Sequence, residues 1–309
     1  MKNILLYKVH MPPSEELMPE LEKVLYSGMI TEGIKVKQFE EEFQKKFNLN
    51  YRPLSVNSGT SALQLAYRLC DVKDRIVLTT PMTCFANVCA ILNEGGKIVW
   101  CDIDPNTGNI SADDVKKKIE LYDERKIACV SFVDLAGFPA DLDKLDEVCD
   151  WISLVEDAAQ SLGAKWDGRW IGQGYRKYAK YDCEPGDHYV CYSFQAIKHL
   201  TTVDGGMLAV NGPWAEYNSL EKGKKLKWFG IDREAAKEET RWNYDIEKHG
   251  SKWHMNNVNA TIGIAQLNRL DAVLETHKQN GQYYNEALKN VSGVQLMTVP
   301  KKSEPSYWI

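Results

Sequence analysis

No apolar run in this chain approaches the ~18 residues that a membrane-spanning helix needs. The opening stretch from Met1 to His10 holds too short an apolar segment for a secretory leader. A basic excess is also missing. Lys plus Arg total 38 against 43 Asp plus Glu, a net charge of −5, which argues against general binding to a nucleic-acid backbone. Cysteine is sparse and unpaired in pattern. The eight, Cys70, Cys84, Cys89, Cys101, Cys129, Cys149, Cys183 and Cys191, form no C-x-x-C spacing, so the strong zinc and dithiol signatures are absent. Most lie in apolar stretches, where cysteine behaves as a small buried hydrophobe. Together these absences lead us to expect a cytoplasmic protein with free thiols, no membrane and no nucleic-acid partner.

What is present is ordinary globular material. The 309 residues are 44% hydrophobic and 26% charged, enough to bury a core without staples. Short apolar runs at 76–80, 98–101, 127–133, 152–155, 189–193 and 207–210 read as buried strands. Helical patterns separate the early ones. Residues 61–70 carry apolar positions at helical spacing; Ser111 caps a helix with Asp113 and Asp114 in its first turn; 141–150 form another amphipathic helix. That alternation predicts an α/β fold, a mostly parallel central sheet with helices on both faces. After Lys198 there is no room for a crossover helix, and Asp204-Gly-Gly206 reads as a turn into an antiparallel return strand. Residues 212–250 change composition towards Lys, Glu and Trp and are expected to leave the core domain. One long helix is expected from Asn257 to about Lys289.

Three segments carry chemistry. In Val56-Asn-Ser-Gly-Thr-Ser-Ala-Leu63, small hydroxyl residues lead straight into a helix, whose N-terminus suits a phosphate. Taken alone, an ordinary helix cap accounts for it. In Val155-Glu-Asp-Ala-Ala-Gln160, Asp157 stands where a buried strand ends, the place where open parallel sheets receive ligands. It serves equally as a carboxylate for a cationic group or as a cap for the next helix. In Ser193-Phe-Gln-Ala-Ile-Lys198, a lysine follows a buried strand amid apolar residues. Such a lysine can be a carbonyl-seeking nucleophile, or a surface residue with a buried stem. A phosphate cradle, a strand-end Asp and a Lys, in that order, are the tool set for pyridoxal phosphate.

With those residues in view, the chain resembles the DegT/DnrJ/EryC1/StrS sugar aminotransferase family, fold-type I of the pyridoxal-phosphate (PLP) enzymes. The resemblance runs from about Leu21 onward. It includes Ser27-Gly-Met-Ile-Thr-Glu-Gly33, Ser58-Gly-Thr-Ser-Ala-Leu63, Asp102-Ile-Asp-Pro105, Glu156-Asp-Ala-Ala-Gln160, and Ser193-Phe-x-x-x-Lys198 with Asp204-Gly-Gly206. It implies that Lys198 bonds the cofactor and shuttles a proton, and that Asp157 pairs with the pyridine nitrogen. It implies that Gln160 lies near the 3′ oxygen, and that Thr60, Ser61 and Ser193 bind the phosphate. The ring-stacking aromatic falls to Phe85, although gap-free alignment puts Cys84 there; a core phenylalanine is the plainer reading. Lys252 stands where many members carry an Asn that reaches the neighbouring subunit's phosphate, and a solvated surface lysine is its alternative. Residues 173–185 read as an insertion, a solvated loop or a rim of the substrate pocket.

The resemblance further implies a large PLP-binding domain at 1–211, with an N-terminal arm at 1–35. A small C-terminal domain at 212–309 is expected to be incomplete. The implied activity moves an amino group from glutamate to a nucleotide-linked keto sugar, a 4-keto-6-deoxyhexose, for amino-sugar biosynthesis. A homodimer with shared active sites is implied. Alternatives are a PLP-dependent sugar dehydratase, which Lys198 opposes, a cyclitol aminotransferase, and a non-catalytic regulatory relative. The last is opposed by Lys198, Asp157, Gln160 and Ser193 standing together.

Overall fold

The computed structural model describes residues 6–174, 186–213, 215–233 and 246–308. Residues 175–185, most of the expected insertion, lie outside the described residues. In chain order the elements begin with helices α1 (Ser14–Leu25) and α2 (Ile34–Phe47). Then come β1 (Leu54–Val56), α3 (Gly59–Leu69), β2 (Ile76–Thr79), α4 (Phe85–Asn93), β3 (Lys97–Trp100), α5 (Ala112–Leu121), β4 (Ile127–Val133), α6 (Leu142–Cys149) and β5 (Ser153–Asp157). A short ribbon, β6 (Lys165–Trp166) and β7 (Arg169–Trp170), precedes β8 (His188–Ser193) and β9 (Gly206–Asn211). Helices α7 (Glu221–Leu226), α8 (Asn257–Leu267) and α9 (Leu270–Leu288) follow, and β10 (Ser303–Glu304) joins the ribbon.

Among the described residues the main sheet has seven strands in the order β1-β9-β8-β5-β4-β2-β3. β3, β2, β4, β5 and β8 run parallel, and β9 returns antiparallel to both β8 and β1. The parallel strands are apolar on both faces because helices cover both. β4, Ile-Ala-Cys-Val-Ser-Phe-Val, is buried at every position. One core layer joins Phe39, Phe43 and Phe47 of α2 to Phe132, Leu154, Tyr192 and Phe194. The other joins Leu63, Leu65 and Tyr67 of α3 to Val77, Cys129, Val155 and Cys191. Alternation along β5 therefore sends Leu154 and Glu156 to one face, Val155 and Asp157 to the other.

The long helix expected from Asn257 breaks in two at Asn268, between α8 and α9. Within the described part of the 212–250 region, Leu220 and Leu226 are buried in the same layer as α3. The tail beginning at Ser306, strand-like in sequence, is irregular, with Tyr307 at φ +54°. No helix among the described residues is long and apolar enough to cross a membrane.

Candidate active site

At the carboxyl edge of the sheet, Asn57 and Ser58 follow the end of β1 at Val56, and α3 begins at once. Ser58 caps the helix, its Oγ accepting the Ser61 N–H at 3.0 Å. The Ser61 hydroxyl is held in turn, donating to Asn57 Oδ1 at 2.6 Å. The N–H groups of Gly59 and Thr60 head the helix, where no intrahelical carbonyl reaches them. Thr60 and Ser193 are both half-buried. β8 delivers Ser193 directly against the helix start: a Cβ on Gly59 would lie 2.7 Å from the Ser193 Cβ. Only a glycine lets the strand end and the helix end approach this closely.

Asp157, the last residue of β5, is 3% exposed. Its Oδ1 accepts the Ala159 N–H at 3.1 Å. Burial pushes its carboxyl pKa up, and the Ala159 bond and the Lys198 charge oppose that rise. Lys198 shows the converse. Burial pushes its amine pKa down, opposed by Asp157 and by Cys84. The two groups thus feel each other across a partly buried space. The Lys198 Nζ lies 4.0 Å over the Trp308 ring.

Gln160 is buried, and its Oε1 accepts the Ala136 N–H at 2.7 Å. That bond spends the carbonyl end of the amide and leaves its donor end for a ligand oxygen. The surrounding loops are tied down: Asp134 accepts from Ala140 N–H at 2.9 Å and from the Ser161 hydroxyl at 2.7 Å. Glu156, facing away from Asp157, pairs with His188 at 2.8 Å, and burial pushes its pKa up to about 7.

Phe85 opens α4 and is 70% exposed, and its neighbour Cys84 lies close enough to Lys198 to act on it, after Asp157. Lys252 is exposed, and its segment runs beside the cradle of its own chain. Asn57 Nδ2 donates to Lys252 O at 3.2 Å, and the Asn57 N–H to Trp253 O at 2.6 Å. So Thr60, Ser61, Ser193, Asp157 and Lys198 gather at one sheet edge, with Gln160 on the adjoining loop. Phe85 and Lys252 stand at its exposed margin.

The sequence pattern of the DegT/DnrJ/EryC1/StrS aminotransferase family matches residues 13–309. The chain belongs to that family. Among relatives of this family member, an uncharacterised protein of Methanocaldococcus jannaschii is 33% identical over 93% of the chain and 70% of its own length. The UDP-4-amino-4,6-dideoxy-N-acetyl-beta-L-altrosamine transaminase of Campylobacter jejuni is 30% identical, covering 93% of the chain and 71% of its own length. A sugar aminotransferase from Micromonospora echinospora superposes with a TM-score of 0.87 at 30% identity, over 99% of this chain and 79% of that one. This DegT/DnrJ/EryC1/StrS protein is a PLP-dependent sugar aminotransferase with the fold-type I architecture.

The residues present fit that cofactor. A buried carboxylate whose pKa burial raises gains from a cationic ring nitrogen beside it. The Gly59–Ser193 approach presents main chain and hydroxyls at a helix N-terminus, as a phosphate requires. Two contributors escaped the sequence reading. Ser58 reads as part of a generic cap, and its spacing three residues before Ser61, to which its hydroxyl lies 2.9 Å away, is the signal the sequence carries. Trp308 lies more than a hundred positions from Lys198, and no local pattern links them.

Proposed function

We propose that this enzyme transfers an amino group from glutamate to a nucleotide-linked keto sugar, a 4-keto-6-deoxyhexose, working as a homodimer. The observation carrying the reading is the mutual influence of Asp157 and Lys198 beside a hydroxyl-rich helix N-terminus. The name of the Campylobacter relative, a transaminase of a UDP-linked 4-amino-4,6-dideoxy sugar, supports a nucleotide-bound substrate aminated at C4. The division into residues 1–211 and 212–309 is part of the same proposal.

When bound, PLP supplies an aldehyde that takes up an amino group and a ring that accepts the electrons of the broken C–H bond. Lys198 supplies the amine that bonds the cofactor. Once freed, its Nζ carries the proton from the glutamate α-carbon and later returns one to the sugar carbon. Asp157 holds a proton on the ring nitrogen by charge. Gln160 donates its amide N–H towards the 3′ oxygen. Thr60, Ser61, Ser193 and the α3 N–H groups would hold the phosphate and so orient the cofactor towards Lys198. Phe85 flanks the ring, and Lys252 reaches the phosphate held by the partner subunit. Glutamate leaves as 2-oxoglutarate and the ketone leaves as an amine, so the amino group and protons balance.

The test is the visible spectrum of the protein with PLP, before and after glutamate. A band that converts to the pyridoxamine form supports the reading. A band indifferent to glutamate but responsive to another amino acid replaces the donor; indifference to all amino acids overturns transamination.

A further inference from the structure

The wall beside Lys198 is built by residues distant in sequence. The Ser306 N–H donates to Gly137 O at 3.0 Å, and the Trp308 N–H to Ala136 O at 2.9 Å. Tyr307 O accepts from His199 Nε2 and from His277 Nδ1, each at 3.0 Å. The Tyr307 ring packs edge-on to Phe138 at 5.2 Å and fills the space over Gly281, where a Cβ would lie 2.3 Å from it. The Trp308 indole is locked as well, its Nε1–H donating to Ile197 O at 3.0 Å. That carbonyl belongs to the residue preceding Lys198. The indole is thus fixed to the same loop as the lysine, with the amine 4.0 Å above its centroid.

We propose that the Trp308 indole is a resting face for the Lys198 amine whenever that amine is not bonded to the cofactor. An aromatic face attracts an ammonium through its quadrupole and offers much less to a neutral amine. The contact therefore favours Lys198 in the state it reaches after taking a proton from the substrate carbon. It draws the long side chain aside at a defined place, clear of the incoming acceptor, and from there the proton is given back. Trp308 is a positioning residue in this scheme. The charged and titratable groups around the amine are Asp157 from β5, Cys84 from the loop before α4, and His199 beside it in sequence. Asp157 and Cys84 have no π face, and the His199 imidazole is engaged with His277 and Tyr307 O. The purpose rests on the proposed role of Lys198; the contact itself does not.

The experiment is pH-dependent acylation of the protein loaded with pyridoxamine 5′-phosphate, in which the Lys198 amine is free. Modification of the Lys198 peptide is read by mass spectrometry, so turnover is not needed. In Trp308→Leu the labelling midpoint should fall by about half a pH unit or more, and Trp308→Phe should recover a large part of that shift. If the leucine variant does not fold, trifluorotryptophan placed at position 308 keeps the shape and drains the ring of charge. It should move the midpoint in the same direction. An unmoved midpoint in either variant overturns the proposal. Borohydride reduction of the PLP-loaded wild type is run in parallel. Cofactor trapped on a different lysine would overturn the catalytic reading of Lys198 and with it the purpose of the resting face. Trapping on Lys198 with an unmoved midpoint would overturn the resting face alone.

Discussion

Gly59 and Ser193 touch without room for a side chain between them: a Cβ on Gly59 would stand 2.7 Å from the Ser193 Cβ and 3.1 Å from its hydroxyl. Helix start and strand end are therefore one surface. Gly59→Ala should push α3 off β8 and weaken PLP binding roughly 5- to 150-fold, the range of about 1–3 kcal/mol that overpacking costs. Fluorescence titration with PLP checks it. Equal affinity in Gly59→Ala and wild type would remove the cradle assignment.

Lys198→Ala should abolish the reducible covalent attachment of PLP. Borohydride treatment followed by peptide mapping reads this directly. An adduct retained on another lysine would transfer the role elsewhere.

Asp157→Asn should still bind PLP, because the phosphate contacts are untouched. The half-reaction with glutamate should slow by about 100-fold or more, because the ring nitrogen loses its charge partner. Single-turnover absorbance measures it, and near-normal rates would refute the pairing.

Much of this was readable in advance, for physical reasons. A parallel strand buried on both faces shows as a bare apolar run, and β4 was expected at 127–133, where it is found. Ser111 caps α5 as expected, because a short polar side chain before an apolar repeat has few other uses; Asp141, expected inside the next helix, caps α6. The three-residue β1 and the two-residue ribbon strands were not legible, since so few residues show no period. The break between α8 and α9 was also hidden. The apolar repeat runs through it, and no Gly or Pro marks it. In the site, Lys198 and Asp157 announced themselves at strand ends. What stands near Lys198 across the chain, Trp308 at 4.0 Å and Cys84 further off, depends on folding and left no local trace.

Lys227 is a further case of chemistry that only the fold reveals. It is 6% exposed, and its Nζ lies 2.7 Å from Glu32 and 3.6 Å from Glu40. Burial works against its charge, but Glu40 and Glu32 outweigh it and hold its pKa above the ordinary value. That contribution is complete below the unfolded lysine value of about 10.4 and is lost as pH rises through the folded one. Lys227→Met should cost about 3 kcal/mol, the low end for breaking a buried pair, because buried Glu40 and half-buried Glu32 keep only Arg52 at 3.5 Å and Arg233 at 2.8 Å. Urea denaturation at neutral pH checks it, and a loss under 1 kcal/mol would show the pair to be dispensable.

His199 gives the opposite slope. Burial, with help from His277, pushes its pKa down to about 4, while an unfolded histidine titrates near 6.5. Between those values the unfolded chain binds more protons, so stability is full above about pH 6.5 and falls as pH drops towards 4. The His199 share is roughly 3 kcal/mol. His199→Gln keeps a donor for Tyr307 O and should flatten the fall without erasing it, since His254 and His277 shift the same way. Denaturation midpoints from pH 4 to 7 measure this, and an unchanged slope would sink it.

Ala136 sits in a left-handed conformation at φ +54° and serves two neighbours at once, its N–H going to Gln160 and its C=O to the Trp308 N–H. Breadth on this side of the pocket is accordingly one adjustable quantity. An acceptor that displaces the amide of Gln160 also loads the tail that carries Trp308. Tuning the enzyme for a bulkier substrate would then begin at position 136, where a single backbone change is felt on both sides.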